Sequence, residues 1–283
     1  MRVLRFEMTR AFRNKWLAVS IALGTLIGLA DIWLNVSQYG FNRGRALIQT
    51  WIGTDYQFAY NSLFYVLLPL IACFPYAGSC YQDQKTGYES SICIKTSRLS
   101  YMIAKEAAVA ASGAVAVACP LLIAMFIAAG IYPDKRPEKL TFLYAGIIDC
   151  HMFPRIFAEH PVCYALLFTL LDAVFGGITG LVAMCFARWC GSRFSTIMAP
   201  FALYVFTGVM FEGRGIGTWS AMQMVNPLQN VVTYRYQMVT MYAAVSGTRS
   251  YIHMAQKKGY SMKEGNTDKK GMYVVDRYEV MRE

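Results

Sequence analysis

Charged residues are scarce in this chain, and their scarcity argues against an ordinary soluble domain. Only 16% of the 283 residues are Asp, Glu, Lys or Arg, whereas 56% are hydrophobic. A soluble domain of this size would have too much apolar surface for its core to bury. The composition therefore predicts a protein whose main solvent is lipid rather than water.

The chain also lacks the short motifs of several enzyme classes. It has no G-x-x-x-x-G-K-[ST] loop, no H-E-x-x-H helix and no G-x-S-x-G turn. ATP hydrolysis by a phosphate-cradling loop is therefore excluded, and metalloprotease or serine-hydrolase chemistry is disfavoured. We expect no catalytic residues, no bound cofactor and no enzymatic activity from the chain alone.

Cysteine chemistry is similarly weak in the sequence. No C-x-x-C pair occurs among the eight cysteines, and most of them fall in apolar stretches, where cysteine is a small packing residue. Metal-ligand residue types do gather in and beside one loop, at Cys150, His151, His160 and Cys163. Their spacing matches no standard zinc pattern, so an ordinary loop without a metal is the preferred interpretation.

What the chain does contain is a series of long apolar stretches separated by polar loops. These stretches cover residues 16–36, 62–81, 105–129, 162–187 and 195–211. A bilayer core of about 30 Å needs roughly 20 apolar residues per helix, so the first four stretches are long enough and the fifth is marginal. The predicted fold class is an all-α polytopic membrane helix bundle with five clear spans.

The distribution of charge predicts the orientation in the membrane. Arg and Lys outnumber the single acid Glu7 before the first span, and they are in excess again in the loop after the second span. The positive-inside rule places both segments in the cytoplasm of a multi-pass protein of the cell membrane. Because the basic residues flank the spans, the net charge of +10 indicates contact with membrane lipid and not with nucleic acid.

The two ends of the chain differ from the bundle. In residues 1–15, Leu4, Met8, Ala11 and Phe12 recur at helical spacing, which favours an amphipathic interfacial helix over a disordered basic leader. Residues 224–246 are apolar only in patches and form a weak sixth span or an interfacial segment. The chain thus divides into an interfacial helix (1–15), a transmembrane domain (16–246) and a polar tail (247–283), whose basic excess favours the cytoplasm and an even number of crossings.

Two acids, Asp31 and Asp172, lie inside apolar stretches. Ionisable residues at membrane depth are expensive, and they usually face a bundle interior or a polar cavity. The sequence leaves two interpretations of Asp172 open: a substrate or proton contact, or a packing residue that is hydrogen-bonded to a neighbouring helix. Gly176, Gly177 and Gly180 follow it and favour a close approach of helices.

The densest polar segment, residues 81–105, reads YQDQKTGYESSICIKTSRLSYMIAK. Its D-x-K-x-G-Y and I-x-x-K-x-x-R-x-x-Y-x-x-A-K patterns resemble the inner loop of type-2 ATP-binding-cassette (ABC) permeases. The matching positions are Asp83, Lys85, Gly87, Tyr88, Lys95, Arg98, Tyr101 and Lys105. The basic start LRFEMTRAFRNKW, the second span LPLIACFPYAG and the stretch from His160 add to a resemblance that covers residues 1–211.

This resemblance implies a function and partners. Such a permease is the transmembrane subunit of an exporter and pairs with a second, identical or homologous permease and with separate cytoplasmic ATPases. The resemblance assigns ATPase coupling to Asp83, Lys85, Gly87, Tyr88, Lys95 and Arg98. The weak final span departs from the family pattern, and it favours the alternative of a membrane sensor or assembly protein with a permease-like fold that transports nothing.

Overall fold

The computed structural model describes residues 2–41, 45–55, 59–95, 97–136, 152–187, 189–228, 236–244 and 246–247. These residues form helices and no strand. In chain order the helices are α1 (Arg2–Phe12), α2 (Lys15–Tyr39), α3 (Leu47–Thr50), α4 (Tyr60–Cys73), α5 (Ser79–Lys85), α6 (Tyr88–Lys95), α7 (Arg98–Ile131), α8 (Pro154–Glu159), α9 (Pro161–Phe186), α10 (Arg193–Gly213), α11 (Ala221–Val225) and α12 (236–244).

Four helices, α2, α7, α9 and α10, are long and apolar enough to cross a membrane. They correspond to the first, third, fourth and fifth predicted spans, including the one whose length seemed marginal. Their outward faces carry exposed large hydrophobic side chains, such as Leu26, Trp33, Leu170 and Phe206. Such faces suit lipid rather than water, and the chain is a multi-pass membrane protein.

The predicted second span, 62–81, is not one continuous helix. Helix α4 ends at Cys73 after 14 residues, a turn follows, and α5 starts at Ser79. Pro75 explains the break, because its nitrogen carries no hydrogen and cannot continue the helical ladder to the carbonyl of Ile71. The Ser20 hydroxyl of α2 donates to that carbonyl instead, at 2.5 Å.

A second proline in α4 is compensated in the same way. Pro69 lies within the helix and leaves the Tyr65 carbonyl without its usual helical donor. The Tyr204 hydroxyl of α10 donates to this carbonyl at 3.1 Å. An unsatisfied carbonyl in lipid is costly, so each proline selects a specific neighbouring helix.

Close packing between α7 and α9 depends on glycine. A side chain added at Gly113 would come within 2.8 Å of the Gly176 carbonyl oxygen, and one at Gly177 within 3.1 Å of the Ala110 carbonyl oxygen. The two backbones therefore pack nearly in contact, which confirms the close approach predicted from the glycines after Asp172. This pair of helices forms the centre of the bundle.

Helix α1 packs against the bundle through Glu7 and through Ala11 of the predicted apolar face, both fully buried. Leu4 and Phe12 of the same predicted face are exposed. Asn14 then caps α2 by accepting from the Trp16 backbone N–H, and its side-chain amide donates to the Pro75 carbonyl at 2.6 Å. The start of the chain is thereby joined to the turn between α4 and α5.

The C-terminal part contains only short helices among the described residues. Beyond α10 the chain turns at Gly215, with φ +69°, and forms α11 and then α12. The predicted weak sixth span, 224–246, overlaps both helices and also includes residues that the structure does not describe. The polar tail, 247–283, lies outside the described residues except for Gly247.

Candidate functional site

Buried charges of both signs meet where α1, α5 and α7 come together. Asp83 of α5 has a side chain that is only 2% exposed. The Arg10 guanidinium of α1 donates to both of its carboxylate oxygens, from Nη2 to Oδ1 at 2.7 Å and from Nη1 to Oδ2 at 3.1 Å. Two parallel charge-assisted bonds of this kind fix orientation as well as distance.

Helix α7 supplies the second base. Lys105, whose side chain is 2% exposed, donates its ammonium to Asp83 Oδ2 and lies 3.3 Å from Glu7 Oε2. The Tyr101 hydroxyl, one turn earlier in α7, donates to Asp83 Oδ2 at 3.0 Å. Asp83 therefore joins α5 to both α1 and α7.

Glu7 balances the charge of this assembly. Its Oε2 accepts from the Tyr76 hydroxyl at 2.7 Å, and its Oε1 lies 3.8 Å from Arg10 Nη1. Two acids and two bases give a formal charge of zero. We call Glu7, Arg10, Asp83 and Lys105, together with Tyr76 and Tyr101, the four-charge cluster.

The electrostatic surroundings keep Asp83 ionised. Burial by itself raises the pKa of its carboxyl, but the hydrogen bonds from Arg10 and the charge of Lys105 outweigh burial and lower the pKa below the ordinary value of 3.8. The cluster thus consists of charged groups that stabilise one another. Removal of any one of its four charged members would leave buried charge uncompensated.

The cluster holds the last turn of α5, just before the turn that joins α5 to α6 in a helical hairpin, residues 79–95. Gly87 allows its turn with φ +71°, a conformation that other residues rarely adopt. Lys85 and Gly87 are exposed at the tip. Tyr88, the first residue of α6, lies against the Arg10 guanidinium, which is 5.0 Å from the centre of its ring. The hairpin is therefore anchored through Asp83 and Tyr88, on either side of an exposed turn.

The predicted coupling residues thus occupy different positions. The structure brings Asp83 and Tyr88 together around Arg10, and it places Lys85 and Gly87 at the exposed turn. Lys95 ends α6 and Arg98 begins α7, but their side chains lie outside the described residues. The sequence did not assign Glu7, Arg10 or Tyr76 to this site, although a lone acid in a basic leader was a usable signal.

Asp31 lies fully buried near the opposite end of α2. The structure shows no hydrogen-bond partner for either of its carboxylate oxygens in the part of the chain that it describes. Asp55 and Arg45 lie close enough to interact with it electrostatically. Asn35, one turn later in α2, donates to Asp55 Oδ2 at 2.5 Å and accepts from Arg45 at 2.9 Å.

Asp172 occupies a separate site among aromatic rings. The Tyr65 hydroxyl donates to its Oδ2 at 3.1 Å, while Oδ1 has no partner within the described ranges. Three other tyrosines in electrostatic reach donate their hydroxyl protons to backbone carbonyls of other residues; they are Tyr164, Tyr204 and Tyr242. The structure therefore does not join Asp31 and Asp172 into one hydrogen-bonded polar site.

The loop histidines and cysteines are only partly described. His160 lies between α8 and α9, Cys163 is exposed in α9, and Cys150 and His151 lie outside the described residues. In the described ranges, no three His, Cys, Asp or Glu side chains are grouped so that they could hold a metal ion. Comparison with known proteins finds no matching family model, curated protein or solved structure.

Proposed function

We propose that this chain is the permease subunit of an ABC exporter, driven by a separate cytoplasmic ATPase. The observation that carries the proposal is the α5–α6 hairpin, which the four-charge cluster anchors at Asp83 and whose turn is exposed. A coupling element needs both properties, because it must contact a partner and pass the partner's motion into the membrane.

The contacts of the cluster suggest how motion would spread. Asp83 is bonded to Arg10 of α1 and to Lys105 of α7, so displacement of the hairpin would act on both helices together. Helix α7 packs closely against α9 through Gly113 and Gly176. Packed helices of this kind move as rigid bodies, and ATP-driven movement of the partner would therefore change the arrangement of the spans.

We further propose the finer topology. The N-terminus is cytoplasmic, α1 lies at the inner headgroups with Leu4, Phe6 and Phe12 in contact with lipid, and the short apolar helix α4 makes the remaining crossing. The 14 residues of α4 span about 21 Å at 1.5 Å per residue. The adjoining loop and turn would complete that crossing at the interfaces.

Isolation of the complex tests this proposal. The full chain, purified in mild detergent from its own membranes, should carry a nucleotide-hydrolysing ABC subunit and a second permease. Charge reversal at Lys95 and Arg98 should release the ATPase but leave the permease pair intact. The matched control is charge reversal at Lys135 and Arg136, in the loop after α7. Full retention of the ATPase by the Lys95 and Arg98 variant would overturn the coupling assignment.

One observation favours the alternative, a membrane sensor or assembly protein that transports nothing. The described residues after α10 form only short helices, without a further long span. ATP-dependent flux across vesicles that contain the chain and its ATPase would reject this alternative. A stable complex that hydrolyses ATP without flux of peptides, lipids or glycans would support it.

A further inference from the structure

A cavity of about 650 Å³ lies between α9, α10 and α12. This volume falls within the range of about 300–1,000 Å³ that ligand sites in proteins usually have. Fourteen residues line it, and none of them is Asp, Glu, Lys or Arg. Aliphatic and aromatic side chains dominate, among them Phe175, Val182, Leu203 and Met241. The lining therefore suits an uncharged, apolar occupant.

The side-chain hydroxyls of the lining are already engaged in hydrogen bonds. The hydroxyls of Thr179, Thr207 and Thr240 donate to backbone carbonyls of their own helices at 2.7–2.8 Å. The Tyr204 hydroxyl donates to the Tyr65 carbonyl at 3.1 Å. A hydrated or charged ligand would find few free donors here, and it would lose its own hydrogen bonds to water on entry.

The cavity has the length of one leaflet of a bilayer. Its lining on α10 extends from Pro200 to Phe211, which is about 17 Å at 1.5 Å per helical residue. Half of a bilayer core of about 30 Å is about 15 Å. A single extended hydrocarbon chain matches both this length and the apolar lining.

The cavity is also open to the surroundings of the bundle. Leu203, Ile216 and Trp219 line it and are each 43% exposed. Phe206 and Val209, on the outer face of the same helix, are 60% and 65% exposed and suit lipid contact. At the end near Phe211, Trp219 is the residue type found at membrane interfaces, and the exposed Arg214 provides a positive charge beside it.

We propose that this cavity binds one acyl chain of a membrane phospholipid, with the phosphate of the lipid beside Arg214. The site belongs to the membrane-embedded bundle, and it does not depend on the chain being an ABC permease. It gives α10 and α12 a specific lipid ligand on that side.

Photolabelling in a bilayer tests the proposal. The full chain is reconstituted into phosphatidylcholine vesicles that contain a small fraction of phosphatidylcholine with a diazirine in one acyl chain. After illumination, labelled peptides are mapped by mass spectrometry. We expect label on Phe175, Thr179 and Tyr204, which line the cavity, as well as on the outer face of α10.

A filling variant and a matched control make the test specific. Thr207→Phe should reduce cavity labelling about tenfold, because the ring displaces at least two methylene groups of contact. Val209→Phe, on the outer face of the same helix, should leave cavity labelling unchanged. Ala244→Phe fills the cavity from α12. If Thr207→Phe does not fold, Ala244→Phe takes its place and should reduce cavity labelling in the same way. Equal cavity labelling in all variants, or none in the unmodified chain, would overturn the proposal.

Discussion

The four-charge cluster and the carboxyl groups within the spans are opposite solutions to the burial of charge. In the cluster, Asp83 receives bonds from two bases and one tyrosine. In the α9 span, Asp172 receives one bond from Tyr65, and among the described residues no base contacts it. Both side chains are buried, so the difference lies in their partners and not in their exposure.

This difference separates two kinds of role. A buried ion pair seldom stabilises a protein more than apolar packing would, but loss of one member is strongly destabilising. The four-charge cluster therefore fixes which helices meet. A weakly partnered carboxyl fixes no such geometry, and its cost within a span is better explained by function or by a single packing contact.

The largest expected effect comes from Lys105→Met. It leaves two buried acids with only Arg10 between them, and we expect a loss of about 3–5 kcal/mol in the free energy of unfolding. Thermal unfolding of the purified chain in detergent measures it. Lys85→Met, at the exposed tip of the hairpin, is the matched control and should stay within about 0.5 kcal/mol. Equal effects of the two variants would mean that the cluster does not hold the helices together.

Asp83→Asn should be the next most damaging change, at about 3 kcal/mol, because Arg10 and Lys105 would then face each other without their acid. Its pH dependence has a defined sign. Since the folded pKa of Asp83 is lowered, its contribution is fully present above the ordinary value of 3.8 and is lost as pH falls through the lower folded pKa. The difference in free energy of unfolding between the unmodified chain and Asp83→Asn should therefore disappear only in strong acid. A difference that stays constant from pH 7 to pH 2 would contradict this assignment.

Tyr76→Phe should have a smaller effect. It removes the hydrogen bond to Glu7 but keeps the ring and the Lys105 ammonium nearby, so we expect a loss of about 1.5 kcal/mol. Tyr81→Phe removes an exposed bond to the Gly191 carbonyl and serves as the control, with a loss of about 0.5 kcal/mol. Denaturant or thermal unfolding measures the loss in each variant. A larger loss for Tyr81→Phe than for Tyr76→Phe would argue against a buried cluster.

The smallest change in stability is expected for Asp172→Asn and Asp31→Asn. Each removes a poorly partnered buried carboxyl and keeps its shape, so the free energy of unfolding should change by less than about 1 kcal/mol. A loss as large as that of Asp83→Asn would reveal an ionic partner. If Asp172→Asn remains folded but abolishes transport, the substrate or proton role is supported over the packing role.

Local patterns in the sequence predicted much of the bundle. The four long helices follow from apolar length, and the approach of α7 to α9 follows from Gly176 and Gly177. The break in the second span was missed, because Pro75 was counted within an apolar run although it cannot donate to Ile71. The compensating hydroxyl of Ser20 is 51 residues distant from Ile71 in the chain, so no local pattern indicates it.

The candidate site was also predicted only in part, because its contacts join residues that are distant in the chain. The pattern in residues 81–105 selected Asp83, Tyr101 and Lys105. It could not show that Arg10, 73 residues before Asp83, forms an ion pair with Asp83. A charge pattern also cannot distinguish a surface contact from a buried anchor. Asp83 is an anchor, while Lys85 two residues later is exposed. Only the packing of α1 against α7 decides between these roles.

Labelling of two exposed lysines tests directly whether the α5–α6 hairpin is cytoplasmic and binds an ATPase. A membrane-impermeant amine reagent is applied to intact cells and to inside-out vesicles, before and after peripheral subunits are stripped. We expect Lys135 to react in intact cells, and Lys85 to react only in inside-out vesicles from which the ATPase has been removed. Reaction of Lys85 in intact cells, or its full reaction in unstripped inside-out vesicles, would contradict a cytoplasmic hairpin that binds an ATPase.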